Sequence, residues 1–421
     1  MNDNAHWLDR KRLAIYPQLF LALFLFMGIV WVLKSIYISG LKGNSFGNDF
    51  ITFWAASHLA LTGHAQDAYD SCLLFKAQQF ALPAASRDSY AWFYPPTFYL
   101  LVLPLALLPY VAAYWTFMLS TLGAYLLLLR RIVRGKTAML CIAAFSGLWI
   151  NLFYGQNAFL TASLCGAALL CTERRPVLAG VFIGLLAAIK PHLAFLFPVA
   201  LIAVGAWRIL ITAALTTTAF TAIGTAILGT AALKGFLANL VYARVFLENG
   251  SQVWKKIPSV FAFMRLYGIP VEWAYVIHFV FATGAAVIVW HVWRRCRNSN
   301  LRGAVLMTAT FLISPYIFHY DLAWLAFPIA WFALSGMQNG WLRGEREVLV
   351  VAWLLPMLMG VQIVTNLTVQ IGPPVICSLL WIIVRRIESP MLETTTTSYR
   401  DDERNCTVCN SSKYSERTIK E

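Results

Sequence analysis

Five short stretches hold the side chains that could do chemistry. The first is Gly47–Ser57, where Asp49 stands as a lone carboxylate ahead of Phe50-Ile51-Thr52-Phe53-Trp54-Ala55-Ala56. One placed carboxylate can act as a general base toward a hydroxyl. It can also cap a helix starting at Phe50 by accepting from the free amides of the first turn. The two roles are compatible, because a cap fixes the carboxylate in place. The second stretch is Tyr94-Pro95-Pro96, whose prolines force an extended approach to the helix that follows. Gly155-Gln156-Asn157 is the third. Two amides at a membrane edge are costly unless they bind something or satisfy bent backbone, and sugar hydroxyls suit them. Lys190-Pro191-His192 interrupts an apolar run from Val177 to Val204. A lysine there marks a functional site by default, and a phosphate at the interface is its natural partner. Last comes Ser314-Pro315-Tyr316-Ile317-Phe318-His319-Tyr320-Asp321, where a proline breaks a helix just before a His, a Tyr and an Asp. His319 is suited to binding phosphate or assisting proton transfer.

The elements that must position these groups are membrane helices. The chain has 421 residues, 59% of them hydrophobic and 12% charged. Soluble chains carry about 25% charged residues, so the shortfall indicates an all-α polytopic membrane protein. The formal net charge of +14 comes from short basic clusters between apolar runs, with no continuous basic face for nucleic acid. Most of the eight cysteines lie in apolar runs and read as small hydrophobes. Cys406-Thr-Val-Cys409 is a single pair in a polar tail and a weak metal or redox signal.

Apolar stretches place spans near 17–38, 110–130, 137–153, 157–171, 176–189, 192–206, 209–233, 272–293, 303–316, 322–336, 347–365 and 369–384, about 12 in all. Arg10-Lys11-Arg12 ahead of the first run, with no small-residue cleavage site after it, marks a signal anchor with a cytoplasmic N-terminus. Every second loop is then short and basic, as the positive-inside rule requires. The opposite loops carry Asp49, Gln156, Lys190 and His319. Residues 97–108, broken by Pro104, are expected to form a juxtamembrane or re-entrant helix that does not span. The first external loop, 39–109, should hold a helix from Phe50 lying at the interface and stopped by Gly63. A second external loop, 234–271, is basic and aromatic, with Lys234, Arg244, Lys255, Lys256 and Arg265, and suits anionic headgroups as well as plain solvation. Residues 1–387 make up the membrane domain, and 388–421 a disordered cytoplasmic tail.

In order along the chain, Asp49 with Phe53-Trp54-Ala55-Ala56, Gly63 with Tyr69-Asp70, Tyr94-Pro95-Pro96, Pro104-Leu105, Leu107-Leu108-Pro109, Gly155-Gln156-Asn157, Lys190-Pro191 and Ser314-Pro315 with His319 and Asp321 form a set. This set resembles glycosyltransferase family 87, membrane mannosyltransferases that use polyprenyl-phosphate-mannose. The resemblance implies a GT-C-type fold, a periplasm-facing active site in a bacterial inner membrane, Asp49 as the catalytic aspartate and a lipid-phosphate sugar donor.

The residues support the same chemistry. A polyprenyl phosphate leaves as an already acidic group, so one base suffices where a glycosidase needs two carboxyls. Asp49 would take the acceptor proton. Lys190, with His192 and His319, would bind the donor phosphate. Tyr94, Gln156, Asn157, Tyr320 and Asp321 would orient sugar or acceptor hydroxyls. No cofactor is required by this scheme; a divalent ion on Asp49 and phosphate is possible chemistry that no residue cluster demands. The competing class is a transporter or flippase for a polar or lipid-linked solute. That class places ionisable groups near mid-membrane on broken helices, whereas here they gather at one edge. A glycan polymerase or ligase would share the topology and use a larger donor.

Overall fold

A computed structural model describes residues 6–41, 47, 49–82 and 90–389. All regular structure among these residues is helical. The polar tail, with Cys406 and Cys409, lies outside the described residues.

Six described helices are long and apolar enough to cross a membrane, among them Arg10–Leu41, Tyr110–Ile132 and Val271–Arg295. A seventh arises if Lys136–Ala143 and Ser146–Tyr154, bent by 43° at their junction, count as one span. This is fewer than the dozen expected from the sequence. The physical reason is visible in the interior. Ala158–Cys171 and Ser299–Ile313 are short helices largely enclosed by others, and Pro176–Ile189 and Leu196–Ala203 are short helices covered along one side. A helix sheltered by protein need not match the bilayer thickness. The long helices Arg10–Leu41 and Trp207–Leu228 instead expose leucine, isoleucine and tryptophan along their outer faces, as lipid-facing helices do.

Close packing of the inner helices relies on small residues. A Cβ at Gly180 would lie 2.7 Å from the Ile209 carbonyl, and one at Gly184 would lie 2.6 Å from that of Ala213. The helix Pro176–Ile189 therefore sits directly against Trp207–Leu228, a small-xxx-small contact. Its C-terminal end delivers Lys190.

Three expectations need correction. The stretch 234–271 is not a loop: Thr230–Asn249 is a twenty-residue helix, followed by Ser251–Trp254 and Val260–Leu266. The first of these, itself one of the six helices long and apolar enough to span, packs on the segment before Pro95, where Asn239 Nδ2 donates to the Trp92 carbonyl at 2.7 Å. The helix Phe50–Leu61 does not lie half-exposed at an interface. Every residue from Phe50 to Ser57 is buried, roofed by the short helices Pro96–Val102 and Leu103–Leu107. Ser57 donates to the Val102 carbonyl at 3.0 Å and Trp54 to that of Leu108 at 3.0 Å. Finally, Asp49 occupies the N-cap of that helix, but its side chain makes no capping bond. Residues 96–107 form two short helices, Pro96–Val102 and Leu103–Leu107.

Candidate active site

The site forms where three chain breaks meet at one end of the bundle. The helix Ser146–Tyr154 ends in Gly155, whose φ of +71° is a left-handed cap. A Cβ there would lie 3.1 Å from the Gly47 Cα and 2.7 Å from the Phe50 Cβ. This glycine-to-glycine approach brings Asp49 beside Gln156. The Asp49 backbone N–H donates to the Tyr154 carbonyl at 3.1 Å. Gln156 Nε2 then donates to Asp49 Oδ2 at 2.7 Å.

Gln156 is polarised from its other end. Tyr94 donates its hydroxyl to Gln156 Oε1 at 3.1 Å. The chain Tyr94, Gln156, Asp49 is thus directional, because a carboxylate only accepts. Burial pushes the Asp49 carboxyl up from 3.8 to about 6, opposed by the Gln156 hydrogen bond and then by the charges of Lys256 and Lys190. Burial also raises the Tyr94 hydroxyl, helped by the charges of Asp321 and Asp49, so it stays a donor.

Lys190 was expected to await a phosphate. Its Nζ is instead 2.9 Å from Asp321 Oδ1, and both side chains are buried. The other Asp321 oxygen accepts the Phe318 N–H at 3.2 Å. The Lys190 ammonium also lies 5.3 Å from the centre of the Tyr320 ring and 6.0 Å from that of Tyr94. His319, Tyr320 and Asp321 share one buried 3-10 turn, His319–Leu325.

His319 packs edge-on against Tyr154, with ring centres 4.7 Å apart, and Tyr154 is the residue whose carbonyl holds Asp49. Burial, and then the charge of Lys256, lowers His319 to about 3, so the ring is neutral. Neither ring nitrogen has a hydrogen-bond partner. The same is true of the Asn157 amide, which is fully buried near Tyr94 without an aligned bond to it. Asn151 takes over the capping of the next helix, accepting the Ala158 N–H at 3.2 Å. His192 is the most peripheral member, reaching the site through Tyr316 with ring centres 6.3 Å apart.

All nine candidate residues therefore fall in one cluster, linked by contacts or a single intervening ring. Sequence reasoning missed Tyr154, and it treated Lys256 as one of several loop lysines. The signal for Lys256 was its place between Trp254 and Pro258, a buried aromatic and a turn. No group of three or more His, Cys, Asp or Glu side chains placed to share a metal ion occurs among the described residues.

Glycosyltransferase family 87 matches residues 92–315, more than half of the chain. The chain belongs to glycosyltransferase family 87. The matched region contains Tyr94, Gln156, Asn157, Lys190, His192 and Lys256, while Asp49, His319, Tyr320 and Asp321 lie outside it. Membership makes it a membrane glycosyltransferase. No curated protein and no solved structure matches the chain.

Proposed function

We propose that this glycosyltransferase moves a hexose, mannose by its family resemblance, from a polyprenyl-phosphate donor to a hydroxyl of a lipid or glycan acceptor at the periplasmic membrane face. The observation that carries this reading is the Asp49 carboxylate. It is partly buried, aimed by Gln156, and poised near the working pH of a general base.

In the reaction, Asp49 accepts the acceptor hydroxyl proton as its oxygen bonds to the anomeric carbon. The bond from that carbon to the phosphate oxygen breaks on the opposite face, its electron pair stays with the phosphate, and the configuration inverts. Positive charge around the leaving phosphate stabilises it more in the transition state than in the ground state. The Lys190–Asp321 pair, Tyr320 and Asn157 belong to the same cluster as Asp49 and would offer donors and acceptors to sugar hydroxyls.

The test is transfer by Asp49→Asn in membranes supplied with polyprenyl-phosphate-sugar. Loss of a general base lowers turnover by about 10²–10⁴-fold, with expression unchanged. Near-normal transfer would overturn the base assignment. Mass analysis of lipids and glycans in a deletion strain would name the acceptor through its missing hexose.

A further inference from the structure

Two ammonium groups bring positive charge to Asp49, those of Lys256 and Lys190. They are not equivalent. Lys190 is buried against Asp321, which is itself tied to the Phe318 N–H. Drawing Lys190 away would leave a buried carboxylate unpaired, a strongly unfavourable change. Its charge is committed within the protein.

Lys256 is differently placed. It stands in the turn between Ser251–Trp254 and Val260–Leu266. Its carbonyl accepts the His319 N–H at 2.7 Å, which fixes its backbone beside the site. The turn is braced from behind: Gln370 Nε2 donates to the Ile257 carbonyl at 2.9 Å, and Trp254 and Ile257 are buried in a small core with Phe261. Neighbouring Lys255 bonds Asn366. The Lys256 ammonium is partly buried and has no carboxylate in ion-pairing reach among the described residues. Beside it lies His319, 1% exposed, whose ring lies near the Lys256 backbone but whose nitrogens make no aligned hydrogen bond. Buried polar atoms without partners call for a ligand that supplies them. A cation without a counter-ion, next to a neutral imidazole able to donate one N–H, selects an anion with oxygen acceptors.

We propose that Lys256 and His319 form the phosphate subsite of this enzyme, and that Lys190 serves to hold Asp321. Tyr154 would connect a phosphate there to Asp49, its ring packed on His319 and its carbonyl accepting the Asp49 N–H. That the phosphate belongs to the sugar donor rests on the function proposed above; the headgroup of a bilayer phospholipid offers the same chemistry.

The experiment measures binding to the full chain in nanodiscs of zwitterionic lipid. The probes are polyprenyl phosphate, which lacks the sugar and does not turn over, and polyprenol, which lacks the phosphate. Wild type should bind the phosphate more tightly than the alcohol. Lys256→Ala should lose that preference by about tenfold or more, while Lys256→Arg keeps most of it and polyprenol binding stays constant. The double variant Lys190→Met with Asp321→Asn, which removes the pair without leaving a lone charge, should retain the preference within about threefold. Unchanged binding by Lys256→Ala, or a double variant that loses as much as Lys256→Ala, overturns the assignment. If wild type does not distinguish the two probes, the donor reading fails, and nanodiscs doped with phosphatidylglycerol then decide the subsite. Lipid retention sensitive to Lys256→Ala upholds it as a headgroup site, and insensitive retention overturns it.

Discussion

At the scale of single residues, Gln156 and Tyr94 govern how Asp49 behaves as a base. The Gln156 hydrogen bond stabilises the charged carboxylate against its burial, so it holds the Asp49 carboxyl lower than burial alone would. Turnover should rise with pH through a limb near 6 and level off above it. Gln156→Ala removes the lowering influence and should shift that limb upward, with a larger loss of rate at pH 6 than at pH 8.5. A pH–rate profile at saturating donor checks this, and an unmoved limb would return Gln156 to sugar binding. The raised carboxyl also bears on stability. A folded-state value above the ordinary 3.8 favours the protonated form, so the contribution of Asp49 itself to stability is fullest below about pH 4 and is lost as pH rises through about 6. The shift corresponds to at most about 3 kcal/mol, reduced by the partial exposure of the group. Asp49→Asn should therefore melt higher than wild type at pH 8 and equally at pH 4, the mark of a site residue that works against the fold. Lys190→Ala should do the reverse, destabilising by about 3–5 kcal/mol by leaving Asp321 buried alone. Adding Asp321→Asn should recover most of that in a thermal melt. The identities of these residues were legible in the sequence because ionisable groups are rare in so apolar a chain. Their pairings were not: Asp49 and Gln156 are 107 residues apart, and Lys190 and Asp321 are 131 apart. Residue type fixes what a side chain can do, while only packing fixes which partner it meets.

At the scale of elements, the site depends on how short helices end. Gly155 both terminates Ser146–Tyr154 and lets Gly47 come within contact. Gly155→Ala would strain a left-handed backbone position and press a methyl group on Phe50. The expected result is a fall in kcat of about tenfold or more with polyprenyl phosphate binding unchanged, because Asp49 and Gln156 separate while Lys256 and His319 stay. Loss of binding together with kcat would mean that the two halves of the site are one rigid unit. Several of these elements were readable in advance. The helices over 157–171 and 176–189 follow directly from uninterrupted apolar runs, and Pro104 confined the segment near 97–108 to a short helix. The helix Thr230–Asn249 was not readable. It is the least apolar of the long helices, and Lys234, Asn239, Arg244 and Glu248 give it the composition of a surface loop. Its helical state is stabilised by tertiary contacts that no local pattern records, with Gly235 against Tyr69 and Tyr242 stacked on Phe93. The buried faces of Phe50–Leu61 escaped notice for the same reason, since its roof comes from residues some fifty positions later.

At the scale of the whole molecule, the question is which side of the membrane the site faces. Counting spans is a weak route to the answer, because the bent pair leaves the long-helix count at six or seven and the short helices are not assigned by length. The charges give a firmer argument. Arg130, Arg131, Arg134 and Lys136 gather where Tyr110–Ile132 gives way to Lys136–Ala143. A second basic group forms at the far end of Gly372–Ile387, where Arg385 donates to the Arg343 carbonyl. By the positive-inside rule, basic clusters of this kind are expected on the cytoplasmic side. The site lies at the other ends of these helices: Lys255, next to the proposed phosphate ligand, bonds Asn366, just beyond Glu345–Val364. Two exposed positions separate the alternatives. In a cysteine-free background, a membrane-impermeant maleimide added to intact spheroplasts should label Val364→Cys, and should label Thr137→Cys only after the membrane is opened. The opposite pattern would place Asp49 and the phosphate subsite in the cytoplasm. The basic clusters would then lie outside, against the rule that orients them, and the donor would have to present its sugar to the inner leaflet. Labelling at both positions from one side would show that an even number of crossings separates them, so that the bent pair Lys136–Tyr154 or another helix between them crosses differently from this arrangement.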